Sequence, residues 1–182
     1  MVLAIGVAAY LWHASHGLDT RSAPGSIESA VAKAVRAWSV PRAAKRMANP
    51  MNCTPAVVEE ARVHWADHCA TCHANNGNGD TVLGRTMYPP PPDMRQQQTQ
   101  GQSDGELYYV IKNGVRLTGM PAFGEPGNED HSSWHLVCFI RHLPKMTVEE
   151  EILMRGMNPK TPQDIEEERQ EQEFLNGGSV KE

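Results

Sequence analysis

Cys69-Ala70-Thr71-Cys72-His73 decides how this chain is read. A pair of cysteines separated by two residues, with a histidine directly behind, is the signature of c-type haem attachment. The chemistry dictates the spacing. Thiols on one tight turn can each add to a haem vinyl group, and the adjacent imidazole then lies over the iron as its proximal ligand. Other chemistries also use paired cysteines. A zinc ribbon needs a second Cys-x-x-Cys, whereas Cys53 and Cys138 are isolated. A thioredoxin-like redox pair belongs in a βαβ setting, which the flanking sequence does not resemble. The motif occurs once, so one haem is expected.

Downstream lies Asn113-Gly114-Val115-Arg116-Leu117-Thr118-Gly119-Met120-Pro121-Ala122-Phe123. Methionine is usually flexible core filler. Met120, between glycine and proline, sits instead on a constrained, non-helical loop that can hold its thioether at one point. Together these features resemble class I cytochrome c, in which the haem motif is followed by an axial methionine on a Gly-Met-Pro type loop. The resemblance covers residues 53–145 and looks closest to the bacterial, membrane-anchored monohaem type. It implies an all-α cytochrome c fold with haem c held covalently through Cys69 and Cys72, and with His73 and Met120 as the iron ligands. It also implies that a prolyl carbonyl in Tyr88-Pro89-Pro90-Pro91-Pro92-Asp93 accepts from the His73 Nδ1, with Pro91 as the candidate. Such a bond would fix the ring and strengthen the ligand. The same proline run could serve as a polyproline recognition segment, but one short run inside a domain argues against that. Arg116, Arg95 and Arg85 are candidates to bind haem propionates, because the guanidinium fork suits carboxylates. Arg116 ranks first for its closeness to Met120.

The chain has 182 residues, enough for one domain with extensions or for two small domains. Charge divides it into three parts. Residues 1–52 carry six basic and two acidic residues, for +4. Residues 53–145 come to −3 and residues 146–182 to −6. A basic front with an acidic body and tail argues against nucleic acid as a partner.

Residues 1–16 begin with the apolar run Val-Leu-Ala-Ile-Gly-Val-Ala-Ala-Tyr-Leu-Trp. A spanning helix needs about 20 residues, so the run is short for one. It lacks the charged start and cleavage site of a signal peptide. It reads as the end of a transmembrane anchor whose start was lost or misassigned, with Tyr10 and Trp12 at the interface. A buried or docking N-terminus is the alternative. Residues 17–52 read as a basic amphipathic helix and linker. Ile27, Val31, Val35 and Trp38 form one stripe, and Ser26 is a candidate cap. That helix could lie on anionic headgroups, pack on a membrane partner, or simply be solvated.

Within residues 53–145, Thr54-Pro55 opens a first helix and Ser103-Asp104-Gly105-Glu106 a second. Asp130 to Leu143 forms a third, stopped by Pro144. That helix is apolar on nearly every side, so it is buried or shared with a partner. His64 and His68 fall near the motif at helical spacing but suit packing better than ligation. By resemblance the first and last helices cross, which brings Cys53 near Cys138. A disulfide and a free buried Cys138 are both compatible with this. Residues 146–182 read as an acidic helical extension that lies along a partner or is solvated.

The function these features imply is a periplasmic, membrane-associated monohaem cytochrome c at the inner membrane. It would carry single electrons between redox protein partners, as a subunit of or donor to a respiratory or photosynthetic complex. With both axial positions filled no substrate site is open, so the chain reads as a carrier and not an enzyme. The alternatives are a docking haem subunit of a larger complex, or a haem enzyme or gas-binding protein with an open distal site.

Overall fold

The computed structural model describes residues 1–16, 19–22, 24–124 and 130–175. Among these the chain is helical, without strands. The centre of the fold is the crossing of α4 (Pro55–His64) with α8 (His131–His142). Thr54 caps α4 by accepting from the Val57 N–H, with Pro55 in the first turn as expected. Asp130 caps α8 by accepting from the Ser133 N–H at 3.1 Å. Ala61 and Ala66 on one side, and Leu136, Val137 and Phe139 on the other, are almost completely buried. The small alanines leave room for close approach of the helices. Cys53, just before α4, is disulfide-bonded to Cys138 of α8, which resolves the alternatives left by the sequence.

Helix α7 (Asp104–Asn113) packs on α8. Its capping box is formed as predicted: Ser103 accepts from the Glu106 N–H and Glu106 accepts from the Ser103 N–H. Tyr108 of α7 stacks on Trp134 of α8 with ring centroids 4.0 Å apart. Arg141 of α8 donates to Asp104 at the start of α7, and to the Gln100 and Gln102 carbonyls. Gln100 belongs to the short α6 (Gln97–Gln100).

The packed body is larger than residues 53–145. On the N-terminal side Val40 and Ala44 are buried. The short α3 (Arg42–Lys45) lies so close to α7 that a Cβ on Gly105 would strike the Ala44 carbonyl oxygen. Asn49 donates to the Trp134 carbonyl at 3.3 Å, so the segment read as a linker is docked. On the C-terminal side, α9 (Val148–Arg155) buries Met154 completely. Its capping-box residue Glu150 pairs with the buried Arg62 at 2.6 Å and with His142 at 3.0 Å.

The outer helices differ. α1 (Val2–His16), α2 (Ser26–Ser39) and α10 (Pro162–Leu175) leave large apolar side chains in solvent. In α2 the N-cap is Gly25, not Ser26, and no side chain caps it. No described helix is long and apolar enough to cross a membrane. Residues 176–182 of the acidic tail lie outside the described residues.

Gly105→Ala should destabilise the protein by about 1–3 kcal/mol in urea unfolding, because the contact that must give is backbone. Replacing Cys53 and Cys138 with serine should cost about 2–4 kcal/mol in the same assay, since the bridge closes a long loop.

Candidate haem site

Helix α4 runs without a break into the haem motif. The spacing of Val58, Ala61, Trp65 and His68 predicts one continuous α-helix. The chain instead widens to a π turn at Trp65–Cys69 before α5 (Ala70–His73). Trp65, Ala66 and Cys69 in the turn are buried, and π turns inside helices recur at functional sites. Immediately after His73, Ala74 adopts φ 62°, a strained conformation for a residue with a Cβ. Its carbonyl accepts from the Trp65 indole N–H at 3.0 Å. The Trp65 ring stands 5.8 Å from the His73 ring, so one tryptophan both holds the exit from the motif and walls the imidazole.

Protonation suits this site to ligation. Burial lowers the His73 pKa to about 4, leaving the imidazole neutral, the form that binds a metal. Burial, with the Cys72 charge adding, pushes the Cys69 thiol up to about 12. Burial also raises Cys72. Both are free thiols, unlike Cys53 and Cys138. A thiol pair left unbonded beside a neutral histidine is the donor set that covalent haem requires.

The opposite wall hangs from the end of α7. Gly114 closes the helix at φ 66°, where a Cβ would meet the Pro121 carbonyl carbon at 2.6 Å and the Met120 oxygen at 2.8 Å. The loop then closes on itself. Val115 donates to the Met120 carbonyl at 3.1 Å, and Met120 donates to Thr118 Oγ1 at 3.1 Å. Phe123 donates to the Ile111 carbonyl of α7 at 3.1 Å. Met120 is therefore half-buried on a pinned loop. His73, Cys69 and Met120 line one cleft, whose other walls include Trp65, Ile111, Leu136 and Ile140. An imidazole and a thioether among apolar lining side chains are donor chemistry that suits haem iron.

The remaining candidates divide. No group accepts from the buried His73 Nδ1 among the described residues, so neither Pro91 nor a neighbouring proline bonds it. Gly79 donates to the His73 carbonyl at 2.9 Å, and the Pro91 carbonyl lies against Gly79. Arg95 is held by Asp93, whose carboxyl the guanidinium keeps well below its usual range. Arg85 pairs with Asp80. Arg116 is exposed and has no carboxylate partner among the described residues, which leaves it free for a propionate. His68 is exposed and bonds Asp67 at 3.1 Å, while its ring lies 4.8 Å from that of His64. Neither histidine lines the cleft. The sequence reading missed Met94, which lines the cleft, and Met87, whose thioether packs against Gly119 of the methionine loop. The only signal for Met94 was its place just after the stiff proline run.

No curated protein matches the chain. Residues 56–140 match the family described as cytochrome C oxidase, cbb3-type, subunit III. The match starts one residue into α4 and stops at the Ile140 wall of the cleft, which supports a c-type cytochrome domain over residues 56–140.

Proposed function

We infer that this protein is a periplasmic, membrane-associated monohaem cytochrome c that passes single electrons between redox protein partners, as a subunit of or donor to a respiratory or photosynthetic membrane complex. The observation that carries this reading is that His73 and Met120 line the same apolar cleft from separately anchored supports. Haem c, when bound, supplies an iron that cycles between Fe(II) and Fe(III). Cys69 and Cys72 would hold the group by thioether bonds, and His73 and Met120 would ligate its iron. A thioether ligand favours the reduced state and raises the potential. The chain then offers no open position to a substrate, which favours a carrier over an enzyme. Arg116, exposed and without a carboxylate partner among the described residues, would be available to neutralise a propionate.

The matched family's description as an oxidase subunit supports service within a membrane complex. The exposed apolar side chains of α1, including Leu3, Ile5 and Tyr10, support attachment to a membrane. Haem attachment and the Cys53–Cys138 disulfide both suit an oxidising compartment.

Optical spectroscopy tests the assignment. The oxidised holoprotein should be low-spin with a methionine–iron charge-transfer band. Met120→Ala should abolish that band and let the reduced form take up CO. A high-spin wild type that binds CO readily would overturn the reading. Gly114→Ala should weaken the same band and lower the melting temperature, because the new Cβ strikes the backbone that positions Met120.

A further inference from the structure

Helix α2 is amphipathic in the inverse sense. Ile27, Val31, Val35 and Trp38 share one face and are 79%, 57%, 57% and 87% exposed. The only half-buried residues of α2 are Ser29 and Arg36, on the opposite side. A helix at the surface of a water-soluble body turns its apolar stripe inward; this one turns it outward. The orientation is anchored. Val40, directly after α2, is buried. Lys45 donates to the Ala37 carbonyl at 2.6 Å and pairs with Glu106 of α7 at 3.4 Å.

Charge indicates what meets this face. Residues 1–52 are the only net-basic part of the chain, at +4 against −9 for the remainder. Arg42 and Arg46, just beyond α2, are exposed and lack a carboxylate partner among the described residues. An outward apolar stripe beside unpaired cations, following the apolar α1, matches the chemistry of an anionic bilayer surface.

The geometry points to a second membrane contact: α2 lies along an anionic bilayer, with Ile27, Val31, Val35 and Trp38 set into the headgroup–acyl boundary. This rests on the reading of the chain as membrane-associated and adds an orienting surface to it. Because Lys45 ties α2 to α7, and the methionine loop hangs from α7, the contact would fix how the haem domain faces the bilayer.

Nitroxide labels on the full-length holoprotein test this, since with haem attached and Cys53–Cys138 bridged an introduced cysteine is the sole free thiol. The labels go on Val31→Cys, Lys33→Cys and Val7→Cys, in vesicles of phosphatidylcholine with and without phosphatidylglycerol. In anionic vesicles the label at 31 should lose most of its collisions with a water-soluble paramagnetic reagent, while the label at 33 keeps them. Arg42→Gln with Arg46→Gln should reduce that protection to the level in neutral vesicles. If the label at 31 stays open to water while the label at 7 is protected, the chain is anchored and α2 is off the bilayer, as docking to a protein partner would give; the proposal then falls. Equal protection at 31 and 33 also overturns it. Water access at both 7 and 31 removes the membrane reading itself.

Discussion

The crossing of α4 with α8 is the constraint on which the site depends. The two walls of the haem cleft belong to different parts of the chain. His73 ends the helical run that starts as α4, while Met120 hangs from α7. α7 is held to α8 by the Tyr108–Trp134 stack and the Arg141 fan of hydrogen bonds. The distance between imidazole and thioether is therefore set wherever α4 meets α8. Completely or almost completely buried alanines at that meeting, and a disulfide at its edge, leave little freedom for one wall to slide against the other.

Polar groups add position more than stability. Arg62 is nearly buried yet pairs with Glu59 on its own helix and with Glu150 of α9. Desolvating such charges offsets most of the Coulomb gain, so the pairing mainly decides where α9 sits. Met154 of α9 is then completely buried. The same economy holds at the other end, where Lys45 serves two elements with one ammonium group.

What the sequence revealed was local. Caps at Thr54 and Ser103 formed as read, because a cap involves residues within one turn of each other. The haem motif and the Gly-Met-Pro loop were legible for the same reason. Long-range accommodations were not. Nothing in Gly105 as a letter says that the Ala44 backbone needs its missing Cβ, and one methionine after a run of glutamates does not mark α9 as core. The π turn hid because Trp65 and Cys69 fit either helical period. The proline run approaches the histidine backbone only through Gly79, and the His73 Nδ1 has no acceptor among the described residues.

These accommodations bear on electron transfer in one way. A carrier works best when its ligands stand in the same place in both oxidation states, so that little must rearrange when the charge changes. Here the imidazole sits at the end of an uninterrupted helical run, with Trp65 bonded to the strained residue behind it. The thioether sits on a loop pinned to α7 and to itself. The two supports differ in kind, and both work by satisfying backbone groups beside the side chain, so a shift of His73 or Met120 disturbs those hydrogen bonds. Rigidity is concentrated around the cleft, while the outer helices α1, α2 and α10 keep their apolar side chains outward. A centre supported in this way would keep its ligand geometry whatever the exposed apolar side chains of the outer helices meet.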